Sequence, residues 1–527
     1  MNIDLALTQA VDHHRAGRLN DAIAGYRTIL AADPDNVAAL ANLGAALRAR
    51  GAHQDAIAML RRAVALMPEF AGAHLNLGNA LANTGDLEAA SQAFANAAKL
   101  DPASCEAYLN WGDALARMGA DREAVAIYEN GLRCMPDDAR LLANLANSQL
   151  SLGNVADGLT RLERAAELRP EDATIRRNLA NALRLAGQIT LAVAILDELL
   201  ARTPDDAEAR CLRAFAHFSS GDFAAAWPDY RARWRSTHHE KTRPFAQPQW
   251  TGQDLSEKTL LVWGEQAVGD ELMFATMLGE AVERAGHVVV ETEHRLVTLF
   301  ARAFPSAEIV ARRDPPLPRL AAADIDFQIA SSDLGGQLRR DAAAFRTSRP
   351  YLEADPARAA FFRQRYDSLA GKRPRIGVSW RSGNEHAGNA RSLNPDALAL
   401  LVSSMDGWWL SLQYGDVAGD LAELQNAGVT VPHVDELVDP LASLDELAAQ
   451  MAGLDLVVSI ANTTVHLAGA LGCRTLALLP AVADWRWGAA GEDCLWYPTV
   501  TLLRQPHAGD WSTVVEQAAE AAGLRSC

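Results

Sequence analysis

The 527-residue chain contains no run of 18 or more apolar residues, so no membrane-spanning helix is expected. Positive charge is short as well. Lys and Arg number 49 against 66 Asp and Glu, and the net charge of -17 argues against nucleic acid as a partner. The start, "MNIDLALTQAVDHHRAGRLN", lacks a basic segment followed by an apolar core. No secretory signal is read there, and a cytoplasmic protein is expected. The six cysteines (Cys105, Cys134, Cys211, Cys473, Cys494 and Cys527) form no C-x-x-C pair, and no disulfide framework is expected. A single D-x-D, Asp324 with Asp326, lies between a loop and a strand candidate and is a weak metal site. No metal and no cofactor is expected. A chain of this length exceeds one hydrophobic core, so two to four domains are anticipated.

What is abundant is repetition. Gly17, Gly51, Gly85, Gly119, Gly153, Gly187 and Gly221 recur every 34 residues, and so do Pro34, Pro68, Pro102, Pro136, Pro170 and Pro204. A small residue follows each glycine by five positions (Ala22, Ala56, Ala90, Ala124, Gly158, Ala192, Ala226). A large apolar one comes four later (Tyr26, Leu60, Phe94, Tyr128, Leu162, Leu196, Tyr230). The pattern predicts helix pairs with a glycine turn inside each pair and a proline ending the second helix. It resembles the tetratricopeptide repeat, with seven registers over residues 1–236, the last incomplete.

Asn42, Asn76, Asn110, Asn144 and Asn178 share one register, the sixth position of the first helix, in five successive repeats. Asparagine is a poor helix former, so its recurrence needs a reason. One reason is inheritance from a duplicated unit, the amides bonding locally. The other is an acceptor-binding ladder along a concave groove, where an amide both donates to and accepts from a peptide backbone. Asn79, Asn147 and Asn181, with Asp113 in the intervening repeat, continue the polar line.

From about residue 245 the period vanishes. Apolar runs alternate with helical patterns: "KTLLVWG", "HVVVETE", "AEIVAR" and "DFQIA", then "RIGVSW", "WWLSLQ", "VTVPHV", "LDLVVSI", "TLALLP" and "TVTLLRQ". This predicts parallel sheets in two α/β units, residues 245–370 and 371–527, closed by a helix that Asp510 caps. The stretch "VVSIANTTVHLAGALG" reads as a strand ending at a cleft and a helix starting there. Asn462, Thr463 and Thr464 would offer that helix start to an anion, and His466 would reach a phosphate or sugar hydroxyl. Ala468, Gly469 and Ala470 would keep the helix slim for a ligand. An ordinary capped helix with a core histidine is the plainer reading of the same residues.

"VVSIANTTVHLAGALG", "DWRWG", "WYPTVTLLRQ" and "RIGVSWRSGN" together resemble the bacterial tetratricopeptide-repeat glycosyltransferases, which fuse such repeats to a heptosyltransferase-like domain. The layout is similar to that of O-GlcNAc transferase, and the resemblance covers essentially the whole chain. It implies a GT-B pair of Rossmann-type domains behind an α-solenoid, a TPR superhelix. It implies a nucleotide-sugar donor on the C-terminal domain and an acceptor approached from the N-terminal side. Ser459 and His466 match a donor-contacting S-x-D-T-G-x-x-H segment, but Ala461 stands where the aspartate is expected, and Asn462 is the candidate substitute. Gly269 and Asp270 match a G-D segment whose aspartate is the proposed base. A carboxylate suits that role in an inverting transfer, while a helix cap is the alternative for Asp270 and Glu265 the alternative base.

Arg381, Ser382 and Arg391 follow a strand and would neutralise a leaving diphosphate in place of a metal ion. Gln413 and Tyr414 end another strand and suit a nucleotide base or ribose, with core packing as the rival. The expectation is therefore a metal-independent glycosyltransferase with catalytic Asp270 and His466, acting on a protein acceptor held by the repeats. Flagellin is the specific candidate, since proteins of this layout include flagellin-modifying enzymes. A carbohydrate or lipopolysaccharide-type acceptor, and a non-enzymatic scaffold with a degenerate transferase domain, are the alternatives.

Overall fold

Each of the seven repeat glycines has φ between 73° and 85°, the left-handed region that only glycine enters without strain. They separate seven helix pairs in a computed structural model that describes residues 2–236, 242–347, 349–383 and 391–524. The pairs are α1 (Ile3–Arg15) with α2 (Leu19–Ala32), α3 (Val37–Ala49) with α4 (His53–Leu66), and α5 (Ala71–Asn83) with α6 (Leu87–Leu100). Then come α7 (Cys105–Arg117) with α8 (Asp121–Cys134), α9 (Ala139–Ser151) with α10 (Val155–Leu168), and α11 (Ala173–Leu185) with α12 (Ile189–Arg202). The last pair is α13 (Ala207–Ser219) with the shorter α14 (Phe223–Tyr230). Asn36, Ser104, Asp138 and Asp206 cap first helices through side-chain oxygens that accept backbone N–H groups.

The chain forms two compact units, Met1–Ala182 and Leu183–Cys527. In the first, α1, α3, α5 and α7 each pack on the next first helix, so the first helices form one row. The small residue after each turn glycine, such as Ala56, Ala90 or Ala124, is fully buried. A second small position lies on the first helix of each of three successive pairs. A Cβ on Gly44, Gly78 or Gly112 would lie 2.4, 2.5 or 2.2 Å from Leu60, Phe94 or Tyr128. The large residue therefore sits over a glycine of the facing helix. Phe94→Ala should empty that contact and destabilise the array by about 3–5 kcal/mol, read by denaturant unfolding. An unchanged midpoint would refute the packing account.

The second unit holds two parallel sheets. The first has the order β3-β2-β1-β4, from β1 (Thr259–Trp263), β2 (His287–Thr292), β3 (Glu308–Ala311) and β4 (Phe327–Ala330). The second has the order β6-β5-β7-β8-β9, from β5 (Arg375–Ser379), β6 (Trp408–Ser411), β7 (Leu456–Ile460), β8 (Thr475–Leu479) and β9 (Val500–Arg504). Every strand pairing is parallel, as the continuous apolar runs predict. One predicted strand is absent. "VTVPHV" makes only an isolated bridge from His433 to Leu410, because Pro432 has no N–H to extend the ladder. Asp510 caps the closing helix Trp511–Ala522 as expected, accepting from Thr513 N–H. No helix among the described residues is long and apolar enough to cross a membrane.

The predicted boundary near residue 236 is displaced. The last repeats share the α/β core: Phe218 stacks on Trp485 at 4.4 Å, and Phe223 meets Phe345 at 4.7 Å. The Trp227 indole donates to the Arg339 carbonyl at 2.8 Å. Beyond α14, Arg233 enters the crevice between the ends of β1 and β4. It pairs with Glu265 at 2.8 Å and Asp333 at 2.6 Å, all three side chains at most 4% exposed.

Candidate functional site

In open parallel sheets, ligand crevices lie beyond the carboxyl ends of strands where the strand order reverses. In the first sheet Arg233 fills that place. In the second sheet it lies between β5 and β7, and a cleft of about 570 Å³ opens there. Asp270, Ser382, Arg391, Tyr414, Thr463 and His466 line it. The cleft thus gathers most of the predicted site residues, together with Ala461 and Asn462.

Asp270 belongs to the helix Val268–Ala275, which packs on the helix Thr463–Leu471. Gly269 makes the approach possible, since a Cβ there would lie 3.1 Å from the His466 ring. Asp270 is not an isolated carboxylate. Nε and Nη2 of Arg486 donate to its Oδ1 at 2.8 and 2.5 Å. The same guanidinium donates through Nη1 to Asp484 at 2.7 Å, and Arg391 stands 3.8 Å from Asp484 on the far side. Burial opposes charge on Arg486, yet Asp270 and Asp484 outweigh it and hold the guanidinium protonated above its usual range. Burial likewise opposes charge on Asp484, but Arg486 and Arg391 pull its pKa down to about 2.

His466 is 7% exposed and its ring stacks on Trp487 at 5.1 Å. Its Nδ1 lies 3.1 Å from the Tyr497 hydroxyl. Burial first, then the Arg486 cation, push its pKa down to about 3, so it is a neutral imidazole across the physiological range. It can exchange hydrogen bonds there but carries no charge to a phosphate.

Several expectations are corrected. Asn462 caps the helix: its Oδ1 accepts from Thr464 N–H and the Ser459 hydroxyl. Its Nδ2 donates to the Ser379 hydroxyl and the Arg381 carbonyl. All four bonding positions of the amide are used, so it braces β5 to β7 and does not replace the aspartate missing at Ala461. Gln413 is 6% exposed and equally spent. Its Oε1 accepts from Trp380 and Arg381 N–H, and its Nε2 donates to the carbonyls of Arg381 and Tyr414. It shapes the loop rather than facing a base.

Arg381 turns away from the cleft to Asp420 at 3.2 Å and to the Asp416 carbonyl. Glu265 is locked to Arg233, which removes it as an alternative base. Gly469 is slim for Tyr497, whose ring would lie 2.5 Å from a Cβ there, and Ala468 and Ala470 are core. Asp326 receives Lys258 and the Thr259 N–H, and Asp324 receives Arg319. Among the described residues, no group of three His, Cys, Asp or Glu side chains is arranged to hold a metal ion. Residues 384–390, inside the arginine-bearing loop, and Cys527 lie outside the described residues.

Ser382, Tyr414 and Thr463 do reach the cleft. The Ser382 N–H donates to Ser392, and the Tyr414 hydroxyl accepts from Gly383 N–H at 2.9 Å. Sequence reasoning missed Arg295, Asp484, Arg486 and Trp487. Each stands just past the carboxyl end of β2 or β8, which is the signal that could have found them.

In the first unit all five asparagines of the register sit on first helices and are half-buried. Asn110 is not merely solvated. Its Nδ2 donates to Asn79 Oδ1 of the preceding repeat at 2.9 Å.

Residues 1–210 match the family model described as the Cilia and flagella-associated protein 70 C-terminal domain, a tetratricopeptide-repeat model. Over 325 residues the chain is 33% identical to Protein FlbA of Caulobacter vibrioides. That alignment covers 59% of this chain, more than the seven repeats hold, so the likeness extends into the α/β half. The chain spans only about half, 54%, of that curated relative. Among solved structures, MamA protein is 26% identical with a TM-score of 0.30, covering 32% of this chain and 93% of its own. A tetratricopeptide repeat protein from Parabacteroides merdae is 18% identical with a TM-score of 0.39, covering 45% and 94%.

Proposed function

We propose that the chain is a GT-B-type glycosyltransferase that moves a sugar from a nucleotide-sugar donor to a protein acceptor held by the repeats. The observation that carries this reading is the cleft itself. A carboxylate, Asp270, and a helix start, Thr463, face one space at the carboxyl ends of a parallel sheet, with Arg486 and Arg391 beside them. A helix start and two guanidiniums suit a phosphate. A carboxylate next to them suits an acceptor hydroxyl.

In the proposed step the acceptor oxygen bonds to the anomeric carbon as the bond from that carbon to the phosphate oxygen breaks. The bonding pair leaves with the nucleotide, and the acceptor proton passes to Asp270. Attack opposite the leaving group inverts the anomeric centre. Arginine supplies the countercharge in this scheme, so EDTA should leave transfer unchanged. His466, neutral, exchanges a hydrogen bond with a sugar hydroxyl. Support for a protein acceptor comes from the asparagine register along the row of first helices, since amides pair with any peptide backbone.

The deciding experiment incubates the protein with UDP-, GDP-, ADP- and CMP-sugars and flagellin as the first acceptor, read by intact mass. A hexose-sized or larger increment that depends on the chain supports the reading. No increment on any protein acceptor, with transfer to a polysaccharide instead, would favour a carbohydrate acceptor. Thr463→Val with Thr464→Val should weaken nucleotide binding by about tenfold while keeping the fold, because two hydroxyls near the helix start are lost at nearly constant volume. Unchanged calorimetric affinity would remove the helix start from the donor site.

A further inference from the structure

We infer that Arg486 is the cation that receives the leaving phosphate, and that the phosphate and Asp270 compete for its guanidinium, so that donor binding itself unmasks the base. This rests on the glycosyltransferase reading above and assigns the leaving-group role to a residue other than Arg381 and Arg391, the two the sequence suggested.

Of the two sequence candidates, Arg381 is committed to Asp420 outside the cleft, and Arg391 stands in the cleft wall with its nearest carboxylate, Asp484, at 3.8 Å. Arg486 lies in the wall, and its bonds are divided by direction. Nη1 is given to Asp484, while Nε and Nη2 are both given to one oxygen of Asp270. Nε and Nη2 form the pair that a bidentate phosphate contact uses. A phosphate that takes them displaces Asp270, and Asp484 keeps Nη1 and the position of the group. The carboxylate oxygen then regains two acceptor positions next to the place where the acceptor hydroxyl must lose its proton. Base and leaving-group cation are thus coupled through one side chain.

A second observation points to the same residue. Gln266 is the only non-glycine among the described residues with positive φ, at 62°. Such a conformation is costly for a residue with a Cβ and persists only where its surroundings hold it. Here the side chain donates to the Tyr230 hydroxyl at 2.9 Å and accepts from Arg486 Nη2 at 3.3 Å. The strained loop therefore aims an acceptor at the very nitrogen that the phosphate would take. Below it, the Arg486 guanidinium rests on the Trp485 ring at 4.8 Å, which fixes its plane. The group is held at a defined orientation by neighbours that remain when Asp270 lets go.

The test is a double-mutant cycle in the full chain, titrating inorganic pyrophosphate, UDP, GDP, ADP and CMP by calorimetry into wild type, Asp270→Asn, Arg486→Gln and the double variant. Asp270→Asn should tighten binding of pyrophosphate and of the best nucleotide by about tenfold, since the competitor for the fork is weakened. Arg486→Gln should weaken both by a similar factor, and Asp270→Asn should add little in that background. Arg486→Lys, which keeps the charge and loses the fork, should fall between and guards against a folding defect in the glutamine variant. An equal gain from Asp270→Asn with and without Arg486 would mean simple charge repulsion and would overturn the inference. So would nucleotide binding indifferent to Arg486. If neither pyrophosphate nor any nucleotide binds wild type or Asp270→Asn, the glycosyltransferase reading falls and takes this inference with it.

Discussion

Asp270→Asn should reduce transfer by about 10²–10⁴-fold, the usual worth of a positioned general base, without loss of nucleotide binding. The substitution keeps the shape and one oxygen, so the helix Val268–Ala275 keeps its packing. It removes the basicity and leaves Arg486 paired with Asp484. The split between chemistry and binding separates this outcome from structural damage. Glu265 supplies the contrast. It is 1% exposed and salt-bridged to a buried arginine, so Glu265→Gln leaves a buried cation half-paired and should cost stability by about 3–5 kcal/mol. Rate measurements at saturating donor, with melting temperatures alongside, distinguish the two. Full activity in Asp270→Asn would remove it as the base. Equal loss of stability in both variants would reduce Asp270 to a structural ion-pair partner.

The repeat array was legible because its punctuation is chemical. Glycine at positive φ and proline past a helix end recur at a fixed interval, and no packing information is needed to see them. The strands of the α/β half were legible because buried parallel strands are continuous apolar runs. What escaped was pairing across distance. Arg233 and Asp333 are 100 residues apart in sequence, and Arg486 and Asp270 are 216 apart. Nothing local in "DWRWG" or "GDE" reveals that they meet. Asn462 shows the opposite error. A capping asparagine and a ligand-binding one have the same local sequence, because both sit at a helix start. Only the bonds to Ser379 and Arg381 show that its amide is already used. The residues best placed to bind came from strand ends that looked like plain loops.

Replacing Asn76, Asn110, Asn144 and Asn178 together by alanine should weaken binding of a protein acceptor by about a hundredfold or more, if several backbone bonds worth about 0.5–1.5 kcal/mol each are lost. Stability pulls the other way. Alanine is the better helix former by roughly half a kcal/mol at each of the four sites. Against that gain stands the bond from Asn110 to Asn79. That bond is worth about 0.5–1.5 kcal/mol net and offsets part of the gain, so the array should melt at or within a few degrees above wild type. The cleft lies in the other compact unit, so nucleotide binding and donor hydrolysis should not change. Melting temperature, donor hydrolysis and transfer to the intact acceptor are then measured on the same preparation. Loss confined to the protein acceptor supports a peptide-binding ladder. A destabilised array, with equal loss on protein and on water as acceptors, would show that the amides serve only to tie one repeat to the next, as Asn110 does to Asn79.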